Sequence, residues 1–301
     1  MSLKASFGNG GSSTQYALKT GTSGYVGDQY ALNGGSASSA SPSSGVGVVM
    51  PSDPLQVDSV TVPGGLSGTG GSVAVGYDTD NASFVFDVVG SWNSVKNALI
   101  QSDSAANVVL KGFVHTDVYL QGKGDSSVYI ESAKRGNVET GSGNDTVEIS
   151  LATNNSGWEN TFNVKTGLGS DTITFKTGLA DGIAKTTDGH FTTVTIDAGA
   201  GNDTVDLSGL NLKSATIIGG TGVNTLTGSN GSDTYVYNAL SGKDKATDHI
   251  TNYDVTKDHL NLNGMTIASH MDFNGDLYLS LSDNHTKIIL EGVQASDFFA
   301  V

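Results

Sequence analysis

Six short stretches of the chain set an oxygen-bearing side chain at one spacing behind glycine. They are Gly122-Lys-Gly124-Asp-Ser126, Gly141-Ser-Gly143-Asn-Asp145, Gly167-Leu-Gly169-Ser-Asp171, Gly199-Ala-Gly201-Asn-Asp203, Gly220-Thr-Gly222-Val-Asn224 and Ser229-Asn-Gly231-Ser-Asp233. Glycine tolerates positive φ and lets backbone carbonyls crowd together, because no Cβ intervenes. Aspartate adds a hard anionic oxygen. Carbonyl and carboxylate oxygens are the donors that calcium prefers, at about 2.4 Å. The plain alternative for any one copy is an Asx turn or a side-chain ladder at a β corner. Several copies in register would stack like carboxylates, a column that calls for intervening cations.

The elements that carry these residues are legible in the same copies. Two and four residues after the aspartate position the side chains are apolar: Val128 and Ile130, Val147 and Ile149, Ile173 and Phe175, Val205 and Leu207, Tyr235 and Tyr237. A period of two after a glycine turn means a strand with one face buried. The unit is a turn plus a strand. Repeated units of this kind stack into a solenoid, and the unequal intervals leave room for second strands such as TFNVK before Gly167 and TTVTI before Gly199. The insertion KTGLADGIAKTTDGH is expected to leave the coil as a loop. Stacked strands lie about 4.8 Å apart, roughly twice the calcium–oxygen distance, so an ion between coils can be ligated from both.

Upstream, residues 1–71 are rich in Gly and Ser, as in GGSASSASPSSG, and read as a linker or loop-rich cap. Residues 72–119 contain strand-like runs (SVAVGY, ASFVFDVVG, NVVLKGFVHTDVYL) and read as an N-terminal β cap. Within it, SWNSVKNALIQS places Trp92, Val95, Leu99 and Ile100 at helical spacing, so a short helix over Ser91 to Ser102 is expected, capped by Ser91. The fold class that follows is all-β: a right-handed parallel β-helix or β-roll solenoid over residues 120–237, with an irregular N-terminal β cap containing one short helix.

The bulk properties agree. Hydrophobic residues make up 37% of the 301, enough for a real core, while 41 glycines and few charged residues favour turns and strands over helix. The net charge of -15 repels nucleic acid and anionic membrane surfaces and makes divalent cations the natural partners. With no cysteine the chain has neither disulfides nor thiolate chemistry. No apolar run approaches the roughly 18 residues of a transmembrane helix, and MSLKASFGNGGSS lacks the apolar core of a secretory signal peptide.

The copies TGSGNDTVE, AGAGNDTVD and GSNGSDTYV resemble the glycine-rich nonapeptides of RTX proteins, in which a parallel β-roll binds calcium through its turns. The tandem GGTGVNTLTGSNGSDTYV is the nearest, two nonapeptides making one coil. TDHITNYDVTKDHLNLNG is similar to the segment that follows RTX repeats in proteins exported by the type I route, with Asp248, Ile250, Tyr253, Asp258, Leu260 and Leu262 in the family's order. GDLYLSLSDNHTKIILEGVQASDFFAV resembles the closing hairpin and uncleaved export signal, so residues 238–301 read as a C-terminal cap and type I secretion signal. The resemblance covers residues 120–301. It implies calcium ions as cofactor, ligated by Asp145, Asp171, Asp203, Asp233 and Asn224 with Gly141, Gly143, Gly167, Gly169, Gly199, Gly201, Gly220, Gly222 and Gly231. It further implies the type I export machinery as partner, an extracellular or cell-surface location, and folding coupled to calcium. Ser126 and Asn224 depart from the pattern, since neutral oxygens ligate more weakly.

Enzyme chemistry finds little support. The six histidines are dispersed and form no H-E-x-x-H pair, no Gly-x-Ser-x-Gly elbow occurs, and no Gly-Lys-Thr/Ser follows a glycine loop. Arg135 is the only arginine, and with Lys123 and Lys134 it reads as a solvated coil-edge charge. The favoured reading is a secreted, non-enzymatic calcium-binding solenoid with a surface, matrix or adhesion role toward an extracellular polysaccharide or cell-surface component. The alternative is a carbohydrate-active β-helix enzyme, a lyase or epimerase, with Asp181 and Asp188 of the insertion as candidates. A third is an export module or a self-assembling layer.

Overall fold

The computed structural model describes residues 97–151, 160–177 and 192–300 in full, and elsewhere gives only the backbone of certain strands. Its contacts divide the chain into two compact units, Met1–Gly141 and Ser142–Val301.

In the first unit two parallel ladders are built from alternating sequences. His115–Leu120 pairs with Asn97–Ser102 on one side and Arg135–Glu139 on the other, and Asn107–Lys111 pairs with Ser83–Gly90 and Ser127–Ala133. Every second side chain points inward, so Ile100, Leu110, Val118 and Ile130 are fully buried. Parallel rungs therefore already occupy part of the segment read as an N-terminal cap. The helix expected over Ser91 to Ser102 is corrected: Asn97–Ser102 is a strand, with Ala98, Ile100 and Ser102 inside. Its alternation fits the slot between Leu3–Gly8 and His115–Leu120, and this tertiary pairing overrides the helical spacing that includes Leu99. Trp92 and Val95 lie outside the fully described residues.

The second unit carries two sheets whose inner faces meet. The first runs parallel through Asn160–Lys165, Thr192–Asp197, Ser214–Ile218, Ser232–Val236 and His259–Asn261. The second runs parallel through Thr146–Leu151, Thr172–Thr177, Thr204–Asp206, Gly222–Thr227, Ala246–Thr251 and Thr286–Leu290. The chain passes from one sheet to the other at each corner. Register stacks Val147, Ile173, Val205, Leu226, Ile250 and Leu290 into one internal column, all of them buried. Val164, Ile196, Ile217 and Tyr235 stack opposite, and Phe162 meets Phe175 edge to face at 5.8 Å. The strands TFNVK and TTVTI fall where the sequence places them.

The last parallel strand turns into an antiparallel meander: Asp276–Leu281 pairs with Thr286–Leu290, and Ile267–Phe273 pairs with Asp276–Leu281. Asp283 holds the connecting turn, accepting hydrogen bonds from the backbone N–H groups of His285, Thr286 and Leu240. One four-residue helix, Ala295–Phe298, follows. The described chain is thus nearly all β, in mostly parallel sheets, the architecture of a β-roll solenoid. Of the long insertion the backbone gives one small antiparallel pair, Leu179–Ala180 with Ile183–Ala184; Asp181 and Asp188 lie outside the described residues.

Candidate metal centre

The glycine turns of the second unit stack directly on one another. Ser142, Leu168, Ala200 and Thr221 bridge in parallel from turn to turn. The N–H groups of Gly143, Gly169 and Gly201 donate to the carbonyls of Leu168, Ala200 and Thr221 at 2.8, 2.8 and 3.0 Å. A second set runs back, from Ala200 to Gly167 and from Thr221 to Gly199.

Glycine is required by the closeness of this stack. A Cβ on Gly169 would lie 1.8 Å from the Gly143 carbonyl oxygen, and one on Gly201 would lie 1.7 Å from that of Gly169. Both residues also adopt positive φ, 127° and 147°. Gly167, Gly199, Gly220 and Gly222 occupy corresponding places in the same flank, with positive φ throughout. Gly141 belongs to the first unit, where it packs against the Gly122 carbonyl, as Gly122 does against Ala105. Ser126 is buried in that unit.

The residue that closes each turn faces inward. Asp145, Asp171, Asp203 and Asn224 form a column with at most 1% exposure, and register adds Asp248, opposite Asn224. The Oδ1 atoms of Asp171, Asp203 and Asn224 are each clasped by the rung before: Asp145 N–H donates to Asp171 at 2.7 Å, Asp171 N–H to Asp203 at 2.9 Å, and Asp203 N–H to Asn224 at 3.0 Å. Asn224 Nδ2 then donates to Asp248 Oδ1 at 2.9 Å. Outside this column runs a second ladder, in which Ser170 N–H meets Asn144 Oδ1 and Val223 N–H meets Asn202 Oδ1.

Two oxygens of the inner column stand out: Asp203 Oδ2 and Asp248 Oδ2 are buried and accept no hydrogen bond from the described residues. An unserved buried carboxylate oxygen is costly unless it is protonated or meets a cation. Burial pushes the Asp203 carboxyl up; the Asp171 N–H opposes this, the charges of Asp171 and Asp248 add to it, and the result is about 7. Burial also raises Asp248, to about 6, against the hydrogen bond of Asn224 and the opposing influence of the buried Tyr237 hydroxyl nearby. Among the described residues no three His, Cys, Asp or Glu side chains gather as a metal cluster. A dication here would draw most of its oxygens from the backbone, and the close-packed glycine carbonyls are suited to that. The donor set fits calcium, which accepts six to eight mixed carboxylate and carbonyl oxygens.

Asp233 is elsewhere. The tandem nonapeptides occupy successive corners of one coil, so Asp233 lies on the opposite flank, in register with Ala215 and not with Asp203. The expectation that it shares the column of Asp145, Asp171 and Asp203 is therefore corrected. Its Oδ2 accepts from Ser229 N–H and its Oδ1 from the Ser229 hydroxyl, while its own N–H donates to Asp258 Oδ1. Asn252 Nδ2 covers the carbonyls of Gly228 and Ser229, and Gly231 packs over the Leu212 carbonyl. Hydrogen bonds close this flank. Two members of the buried acid set, Asp248 and Asp258, entered the sequence reading only by their order in the segment after the repeats and not as site residues: Asp248 follows no glycine pair, though it shares the Asp-x-Ile phase of Asp171, and Asp258 shows only as an aspartate ahead of an alternating strand.

Residues 194–211 and 214–239 match the family model of the RTX calcium-binding nonapeptide repeat (4 copies). No curated protein matches the chain. RTX nonapeptides bind Ca2+, and the matched stretches contain the stacked turns of Asp203 and Asn224. Over those stretches the chain carries RTX calcium-binding repeats, and Asp203 and Asn224 of the buried column lie within them.

Proposed function

We propose that this chain is an extracellular, non-enzymatic calcium-binding β-roll, in which calcium ions sit between successive glycine turns of one flank. Asp145, Asp171 and Asp203 would supply the carboxylates, and the carbonyls of the turns Gly143, Gly167–Gly169 and Gly199–Gly201 the remaining oxygens. Calcium would supply the positive charge that lets this column stay ionised inside the protein. Carboxylates one rung apart, about 4.8 Å, repel by roughly 3 kcal/mol at an effective dielectric near 20. The bound ion reverses the sign of that interaction and so couples ligation to folding.

The observation that carries the reading is Asp203 Oδ2, buried and unserved on the residue that closes one of the stacked glycine turns. Export in unfolded form by a type I route, followed by folding in millimolar calcium, accords with the acidic chain and with the likeness of residues 247–264 to the segment after RTX repeats. A surface, matrix or adhesion role toward polysaccharide completes the proposal. Calcium titration followed by circular dichroism and thermal unfolding tests it. Each ion held at a hundredfold excess over its dissociation constant adds about 2.7 kcal/mol. For a unit of this size that raises the midpoint by roughly 5–10 °C. An unchanged midpoint at millimolar calcium, with no metal bound, would remove the ion from the account.

A further inference from the structure

We infer that Asn224 ends the ion column: its side-chain amide takes the place of a calcium ion in the gap between the Asn224 and Asp248 rungs. The inference rests on the calcium reading above and adds where the sites stop.

The orientation of the amide is fixed by chemistry. Asp203 N–H can only donate, so the atom it meets at 3.0 Å is Asn224 Oδ1. Nδ2 must then face the next rung, where it donates to Asp248 Oδ1 at 2.9 Å. In the two rungs before it, the corresponding residues are Asp171 and Asp203, whose second side-chain atom is an oxygen that can bind a cation. In Asn224 that atom is an N–H donor, which repels one. On the far side of the gap Asp248 Oδ1 already holds this amide, so it is the amide bridge that fills the space between the two rungs, although Asp248 Oδ2 carries no hydrogen bond.

The backbone around the last gap differs as well. Asp248 follows no Gly-x-Gly pair; the chain reaches it through Asn238–Lys245, and Gly222 N–H is bonded to Lys245 O at 2.7 Å. A cavity of about 140 Å³ opens beside this turn, lined by the Gly199–Ala200 and Gly220–Thr221 turns with Val236, Tyr237 and Leu240, and not by Asn224 or Asp248. Gly219 supports the amide bridge, because a Cβ on it would lie 2.8 Å from Asp248 Oδ2 and 3.0 Å from Asn224 Nδ2.

Counting bound calcium on the whole chain by native mass spectrometry, with isothermal titration, tests the inference in two variants. Asn224→Asp exchanges the donor for an oxygen and lines up three carboxylates with Asp203 and Asp248, so it should bind one calcium more than the parent. Asp248→Asn should leave the count unchanged and only lower the thermal midpoint. A calcium lost from Asp248→Asn, or an Asn224→Asp protein that folds in saturating calcium without gaining an ion, overturns the inference while the calcium reading stands. A parent chain that binds no calcium overturns both. Should Asn224→Asp fail to fold, the unchanged count of Asp248→Asn decides.

Discussion

Burial pushes the Asp203 carboxyl up to about 7, so the folded chain without metal holds a proton there that the unfolded chain releases near pH 3.8. This group's contribution to stability is full below pH 3.8 and is lost as pH rises through about 7. Calcium must displace the same proton, which makes its binding run the other way. Affinity at the Asp203 rung should be roughly tenfold weaker near pH 6 than near pH 8. Titration calorimetry at the two pH values in buffers of different ionisation enthalpy would show both the weakening and the released proton. Asp203→Asn should remove an ion and flatten that pH dependence. At Gly201 the demand is steric: alanine would place a Cβ 1.7 Å from the Gly169 carbonyl oxygen at a φ of 147°. Gly201→Ala should cost more than about 3 kcal/mol, read in denaturant unfolding with calcium present.

The two kinds of corner do different work although both are spelled with glycine and aspartate. On the Asp203 flank the turns stack glycine on glycine and leave an acid oxygen over. On the Asp233 flank the oxygens are taken up by Ser229, and Asn252 covers the carbonyls. Asp233→Ala should therefore leave the calcium count unchanged while lowering stability by about 2–4 kcal/mol, since Ser229 loses both of its acceptors in a buried site. The strand phases and the glycine corners were legible in the sequence because each is local: Val147, Ile173 and Val205 sit two residues past their aspartates. The flank of each corner was not, because it depends on how many residues complete a coil. Asn224 and Asp233 share a motif, yet stand half a coil apart. Asn97–Ser102 shows the same limit, since its pairing with His115–Leu120 decided between helix and strand.

For the whole chain, with its net charge of -15, screening of solvated carboxylates and ligation by buried ones are separable effects of a divalent ion. Magnesium, which holds its water more tightly and demands octahedral geometry, should raise the thermal midpoint far less than calcium at equal ionic strength. A scan with each ion separates ligation from screening. At acid pH the balance shifts to groups such as Asp283. Burial raises its carboxyl, but hydrogen bonds from Thr286, His285 and Leu240 outweigh this and hold it at about 2. Its contribution to stability is present above pH 3.8 and lost as pH falls through about 2.

The clasp between rungs also has a direction. Asp145 N–H waits on Asp171, Asp171 on Asp203, Asp203 on Asn224 and, across the coil, Asp233 on Asp258. In this inner column each corner is held by a side chain that lies later in the polypeptide, while the outer ladder runs back, from Ser170 to Asn144 and from Val223 to Asn202. A ribosome delivers this segment in the opposite sequence, so each of these corners is made before its holder. Trimming the segment from its far end should release the inner clasps one after another, whereas loss of the early corners is felt later only through the outer ladder of Asn144 and Asn202.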